Sequence, residues 1–73
     1  MKTLDLRGLI CPLPVLRANK VMRELAAGDQ MRVLADDPAA PADFRAYCET
    51  TGHQLVEVVD NDNAFAIVIA KKE

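Results

Sequence analysis

The sequence predicts an α+β protein, a two-layer sandwich in which two helices cover one face of a four-stranded mixed sheet in the order βαβαββ. Four short runs have the two-residue apolar period of strands, and two longer stretches repeat apolar residues every three or four positions, as helices do. Glycines and clusters of aspartate and asparagine separate these segments. At 73 residues, the chain is expected to form one domain over residues 1–73.

The first strand and the first helix are predicted over residues 3–6 and 12–27, with a turn at Gly8 between them. The helix carries its apolar residues on one side, which should face the core. These residues are Val15, Ala18, Val21, Met22, Leu25 and Ala26. Gly28 is expected to end the helix, because glycine readily adopts the left-handed conformation that follows many helices.

The second strand and the second helix follow the same logic. Met31, Val33 and Ala35 alternate with other residues in a strand that runs into a turn at residues 36–38. The second helix is predicted to start near Pro41 and to end before Gly52. One of its faces carries Phe44, Tyr47, Cys48 and Thr51.

The last two strands are predicted to pair through a tight turn. Val56 and Val58 are expected to begin the third strand, which breaks at residues 60–63, a run of aspartate and asparagine. In the last strand Phe65, Ile67 and Ile69 point to one side, and Ala66, Val68 and Ala70 to the other. The tight turn makes these two strands antiparallel, whereas the helical crossover makes the first two parallel.

Composition excludes several classes of function. Nine lysines and arginines against eleven aspartates and glutamates give a net charge of -2, which argues against electrostatic binding of nucleic acid. No apolar run approaches the roughly 20 residues that span a membrane. One histidine and two distant cysteines do not form a recognisable zinc site. We therefore expect no metal, no membrane and no direct nucleic-acid partner.

The number of cysteines also indicates the cellular compartment of the protein. Two are too few for a disulfide-rich scaffold, and the N-terminus has Asp5 and Arg7 where a signal peptide would be apolar. Both observations predict a protein of the reducing cytoplasm, with its cysteines as thiols.

The segment Cys11-Pro12-Leu13-Pro14 is the strongest candidate for a functional site. Prolines are tolerated in the first turn of a helix, so Pro12 and Pro14 should fix the helix start beside Cys11. The N–H groups of Leu13 and Val15 would then be left at the positive end of the helix dipole.

Two interpretations of Cys11 are open on physical grounds. A helix N-terminus, with Arg7 and Arg17 as further positive charges, would lower the pKa of the thiol and favour the nucleophilic thiolate. Alternatively, Cys11 is a small buried residue at a helix cap, a common place for a free cysteine.

One face of the first helix lies off the core stripe and combines leucines with basic residues. It consists of Leu13, Leu16, Arg17, Lys20 and Arg23. It could be an ordinary solvated face, with the leucines covered by the stems of the basic side chains. Next to a reactive thiol, however, it is better interpreted as a docking surface for acidic partner proteins.

The remaining polar candidates are assigned structural roles. The helical spacing of Cys48 with Phe44 and Tyr47 favours the core over a resolving thiol. His53 follows a helix and is expected to make a cap or turn contact. Asp5, Asp36 and Asp37 are interpreted as turn and capping residues.

Residues 4–14, LDLRGLICPLP, resemble the N-terminal signature of the TusA family (TusA/SirA/YedF-like) of sulfur-carrier proteins. The CPxP element after an aspartate and Gly8 is specific for so short a motif. Further matches are Lys20, Ala35-Asp36-Asp37-Pro38-Ala39, Asp43, Phe44, Cys48, Gly52, His53 and Leu55.

The resemblance implies a function and partners. Cys11 would carry sulfur as a persulfide, without a cofactor, with Gly8, Pro12 and Pro14 shaping the site. A cysteine desulfurase or a rhodanese-like protein would supply the sulfur, and an acceptor protein would receive it. The outlets known for the family are tRNA thiolation, sulfur oxidation and molybdenum-cofactor pathways.

Two alternative functions remain. Small βαβαββ domains can bind RNA, although this chain has only Phe44, Phe65 and Tyr47 as aromatics for stacking. A redox-sensing thiol would also use an exposed cysteine of low pKa, but it needs a resolving partner.

Overall fold

The computed structural model describes residues Met1–Glu73, and its six elements follow the predicted order. They are β1 (Lys2–Asp5), α1 (Leu13–Met22), β2 (Gln30–Ala35), α2 (Ala40–Thr51), β3 (Gln54–Asp60) and β4 (Phe65–Ala70). The strands form one sheet in the order β1-β2-β4-β3. The β1–β2 pair is parallel, and both β2–β4 and β3–β4 are antiparallel. The predicted α+β fold with a mixed sheet is therefore confirmed.

The core lies between one face of the sheet and the two helices. Its largest completely buried side chains are Phe44, Met22, Met31, Ile67, Ile69 and Val33. They come from both helices and from the two central strands, so α1 and α2 share one face of the sheet. Burying these apolar surfaces is the main favourable contribution to folding.

α1 is shorter than the sequence predicts. Its regular part ends at Met22, and the chain continues through turns to Gly28. The side-chain amine of Lys71 donates to the carbonyl of Leu25 at 2.7 Å, and the N–H of Gly28 donates to the carbonyl of Lys71 at 2.9 Å. The end of β4 thus binds backbone groups that would otherwise extend the helix, and a helical period alone does not reveal this competition.

β3 contains a bulge that changes which residues face the core. Leu55 pairs with Ile69 and Glu57 with Val68, so Val56 is the extra residue. Leu55 and Val58 pack on the core, whereas the side chain of Val56 is 43% exposed. The strand is present as predicted but begins at Gln54, and its bulge shifts the two-residue alternation by one position, so Val56 and Val58 differ in exposure.

The predicted turns at the other element ends are present. Gly52 follows α2 with φ 85° and donates its N–H to the carbonyl of Cys48. In the β3–β4 connection Asp62 has φ 62°, and its N–H donates to the carboxylate of Asp60 at 3.1 Å. Neither helix of the structure is long and apolar enough to cross a lipid bilayer.

Candidate functional site

The loop between β1 and α1 is held by Asp36, which follows β2. The N–H of Gly8 donates to both carboxylate oxygens of Asp36, at 3.0 and 3.1 Å. Gly8 has φ 86°, a conformation that is costly for a residue with a Cβ. Since β1 and β2 are parallel neighbours, the segments that follow them leave the same edge of the sheet. Gly8 therefore allows the turn that leads into the cysteine loop.

Asp37 holds the backbone of Cys11 itself. One of its carboxylate oxygens accepts the N–H of Cys11 at 2.7 Å, and the other accepts the N–H of Ala39 at 2.9 Å. These hydrogen bonds favour the ionised carboxylate and hold the pKa of Asp37 below its usual value. Asp37 thus makes the predicted turn contact, but neither aspartate caps α2, whose N-cap residue is Ala39 without a side-chain hydrogen bond. Both aspartates instead bind the backbone of the cysteine loop.

This arrangement predicts a loss of stability in acid. Because the pKa of Asp37 is lowered by folding, its contribution is complete above the ordinary carboxyl pKa and disappears as the pH falls through the lowered value. Urea unfolding of the wild type and of Asp37→Asn should therefore differ more at pH 7 than at pH 3. Glu49→Gln, an exposed carboxyl on α2, is the control. An equal difference at both pH values would contradict the prediction.

The two prolines take different positions at the start of α1. Pro12, joined to Cys11 by a cis peptide bond, is the N-cap residue, and Pro14 lies buried in the first turn. The N–H of Leu13 donates to the carbonyl of Ile10 at 2.9 Å. It is therefore not free, contrary to the expectation from the sequence. The N–H of Val15 has no acceptor within the protein. The prolines do mark the helix start, with Cys11 outside it.

Cys11 is exposed, which excludes its interpretation as a buried cap residue. It lines a groove between α1 and α2 with a volume of about 360 Å³. The groove is lined by Cys11, Pro12, Val15, Asp43, Ala46, Tyr47 and Thr50. It is mostly apolar, with the carboxylate of Asp43 beside the thiol.

The charges around the thiol are opposite to those expected from the sequence. A hydrogen bond to Asp43, desolvation and the negative charges of Asp43 and Asp37 raise the pKa of Cys11. Arg7 does not offset them, because it forms a two-point ion pair with Asp5 at 2.9 and 2.8 Å. The interpretation of Cys11 as a thiol with lowered pKa, which the sequence left open, is therefore not supported. The charges that act on the thiol are those of carboxylates.

The leucines and basic residues of α1 are exposed, as predicted. Leu13 and Leu16 are 42% and 57% exposed, and Arg17, Lys20 and Arg23 also face solvent. None of the three basic side chains forms an ion pair within the chain, whose one ion pair is between Arg7 and Asp5. Ile10, which the sequence analysis did not single out, is 71% exposed beside Cys11 and extends this apolar surface.

The second cysteine and the histidine have the structural roles expected of them. Cys48 is 5% exposed and does not line the groove, and burial raises the pKa of its thiol. His53 accepts the N–H of Lys72 through Nδ1 at 3.1 Å, and its ring lies 5.7 Å from that of Tyr47. Neither side chain contacts the thiol of Cys11.

Comparison with known proteins identifies the family to which the chain belongs. The sequence family described as Sulfurtransferase TusA matches residues 2–71. A protein of Neisseria meningitidis serogroup A is 46% identical over 71 residues, 97% of this chain and 96% of the relative. The sulfur carrier protein TusA of Allochromatium vinosum is 40% identical over 68 residues, 93% of this chain and 90% of the relative.

A solved structure agrees with this assignment. The crystal structure of a SirA-like protein from Desulfitobacterium hafniense superimposes with a TM-score of 0.86 at 32% identity and covers 100% of both chains. The fold, the CPxP loop and the match over nearly the whole chain all indicate the same family. The chain therefore belongs to the TusA family of sulfurtransferases.

Proposed function

We propose that this protein is a sulfur carrier in which Cys11 holds a sulfane sulfur as a persulfide between a donor protein and an acceptor protein. The observation that carries the proposal is the exposed thiol of Cys11, fixed through its backbone by Asp37 in the lining of an open groove. A carried atom must be reachable by two partners in turn, and an exposed loop cysteine provides this. Family membership supports the sulfur-carrier role.

The transfer requires one thiol and no cofactor. The sulfur of Cys11 attacks the outer sulfur of a donor persulfide, and the donor cysteine leaves as a thiol. The reverse exchange passes the sulfur to an acceptor thiol. The free N–H of Val15 at the start of α1 offers a hydrogen-bond donor close to the loaded cysteine.

The partners follow from this chemistry. The donor must itself carry a persulfide, which a cysteine desulfurase or a rhodanese-like protein forms on its own cysteine. The acceptor must present a thiol or another nucleophile. The candidate outlets are tRNA thiolation, sulfur oxidation and molybdenum-cofactor pathways, and the cytoplasm is the compartment in which we propose that the carrier works.

The direct test is sulfur uptake. The protein is incubated with a cysteine desulfurase and cysteine, and its intact mass is measured with and without a reductant. We expect the mass of one added sulfur atom on Cys11, removed by the reductant. No added sulfur from either class of donor would contradict the proposed function.

The exposed face of α1 is the proposed partner-docking surface, made of Leu13, Leu16, Arg17, Lys20 and Arg23. Its apolar residues lie next to Cys11, and its basic residues have no acidic partner within the chain. Such a surface suits a partner with acidic residues around its reactive cysteine, since complementary charges accelerate association.

Charge reversal on this face should slow transfer without unfolding the protein. Arg17→Glu and Lys20→Glu are each expected to reduce the rate of sulfur uptake from a protein donor by roughly 10-fold at low salt, and less at high salt. Arg32→Glu is the control, because Arg32 is exposed on the sheet face away from the helices. Unchanged rates in both α1 variants, or an equal decrease in the control, would exclude this docking surface.

The two alternative functions gain no support from the structure. A redox sensor uses a thiol of low pKa with a resolving cysteine, whereas the pKa of Cys11 is raised and Cys48 is buried. RNA recognition by stacking uses exposed aromatic rings. Here Phe44 and Tyr47 are 0% and 8% exposed.

A further inference from the structure

We propose that Asp43 is a catalytic residue that takes the proton of Cys11 during sulfur loading and returns it to the departing donor sulfur. This inference rests on the proposed role of Cys11 as the sulfur-carrying residue. It assigns a function to a groove residue that the composition and motifs of the chain did not single out as part of the site.

Asp43 is held in place by the helix that carries it. It lies in the first turn of α2, its N–H donates to the carbonyl of Ala39 at 3.0 Å, and the adjacent Phe44 is completely buried. Its carboxylate lines the same groove as Cys11 and is the only carboxylate that does so. A general base must be able to reach the proton that it removes, and Asp43 is the acidic residue that shares the groove of the thiol.

The state of the thiol explains why a base is needed. Because the pKa of Cys11 is raised above its ordinary value of 9.0, only a small fraction is thiolate at pH 7, and the thiolate is the nucleophile. Every charged group that contributes to this shift is an acidic residue, Asp43 or Asp37. The proton therefore has to be removed as the new S–S bond forms.

Of the two carboxylates, Asp43 is the one free to accept a proton. Both carboxylate oxygens of Asp37 are already bound by N–H groups of the backbone, and its pKa is lowered by them. The backbone N–H groups of the cysteine loop and of the start of α2 donate to the carboxylates of Asp36 and Asp37, and none donates to that of Asp43. Tyr47, the other titratable residue of the groove, uses its hydroxyl to donate to Asn19 at 2.9 Å.

The proposed step balances without an oxidant or a reductant. The S–H bond of Cys11 breaks and its proton passes to Asp43, while the electron pair forms a bond to the outer sulfur of the donor persulfide. The donor S–S bond breaks, and the donor cysteine leaves as a thiolate that receives the proton from Asp43. Cys11 ends as a persulfide, the donor cysteine as a thiol and Asp43 as a carboxylate.

Asp43→Asn separates this role from a structural one, because two rates should change in opposite directions. Removal of the charge and the acceptor lowers the pKa of Cys11, so alkylation of Cys11 by iodoacetamide at pH 7 should become faster. Sulfur uptake from a desulfurase persulfide, measured in single turnover, should become about 100-fold slower, since general bases contribute roughly 10²–10⁴-fold. Asp43→Glu should restore much of the uptake.

The controls define the outcomes. Glu49→Gln removes the same charge from the exposed side of α2 and should change neither rate, and thermal unfolding checks every variant. If Asp43→Asn does not fold, Asp43→Ser gives the same comparison. Uptake by a folded variant at the wild-type rate or faster would overturn the role of Asp43 alone. Absence of uptake by the wild type would instead overturn the proposed function.

Discussion

Replacement of Cys11 by serine is expected to abolish sulfur uptake. A serine hydroxyl can occupy the same exposed position, and the hydrogen bond from the backbone N–H of residue 11 to Asp37 does not involve the side chain. The fold and the loop should therefore persist while the only sulfur atom in the groove is lost. The measurement is intact mass after incubation with a desulfurase and cysteine, and we expect no added sulfur.

Cys48→Ser is the matched control, because it removes the other thiol of the chain. Cys48 lies on the core-facing side of α2 and does not line the groove, so sulfur uptake should remain at the wild-type level. A modest loss of stability is expected, since a hydroxyl is less favourable than a thiol in an apolar core. Uptake that survives in Cys11→Ser but is lost in Cys48→Ser would reverse the assignment.

Both results would bear on the redox-sensor alternative as well. A sensor would use the pair of cysteines, so either replacement should prevent formation of an internal disulfide under peroxide. A carrier needs Cys11 alone. Sulfur uptake by Cys48→Ser at the wild-type level would therefore separate the carrier from the sensor.

The fold was predictable because its signals are local. Alternation in β2 and β4, the helical spacing of Phe44 and Cys48, and Gly52 after α2 each act over a few residues. Two features were not predictable, because they are set by contacts between distant segments. The end of α1 is set by hydrogen bonds to Lys71, and the inward face of β3 is set by a bulge at Val56. A periodicity within one segment contains neither contact.

The proposed nucleophile follows from the sequence, whereas the electrostatics of the site do not. The CPxP motif points to Cys11, and Asp36 and Asp37 were assigned only to turns and caps, although the parallel pairing of β1 and β2 brings the segments that follow them to one edge of the sheet. The position of Asp43 depends on how α2 lies against α1. That packing is a tertiary property, so the helix that follows Cys11 does not by itself determine the pKa of the thiol.

The largest effect on stability is expected for Phe44→Ala. Phe44 has the largest of the fully buried side chains, and its ring makes an edge-to-face contact with that of Tyr47 at 6.4 Å between centroids. Phe→Ala in a core costs about 3–5 kcal/mol. Proteins gain roughly 0.05–0.15 kcal/mol of stability per residue, so a domain of this size has roughly 4–11 kcal/mol. The variant should therefore be close to unfolding at 25 °C, as a urea titration would show.

Val56→Ala tests the position of the core with a residue that the structure places outside it. An unbroken two-residue alternation in β3 would place Val56 on the same side as Val58, facing the core, where its truncation would cost about 1 kcal/mol or more of stability because the lost methyl groups would leave a cavity. The structure places it on the bulge with 43% of its side chain exposed. Surface substitutions usually change stability by less than about 0.5 kcal/mol. A small effect in Val56→Ala together with a large one in Phe44→Ala would locate the core on the helical face. A large effect at Val56 would show that the bulge is misplaced and that β3 follows the alternation of its sequence.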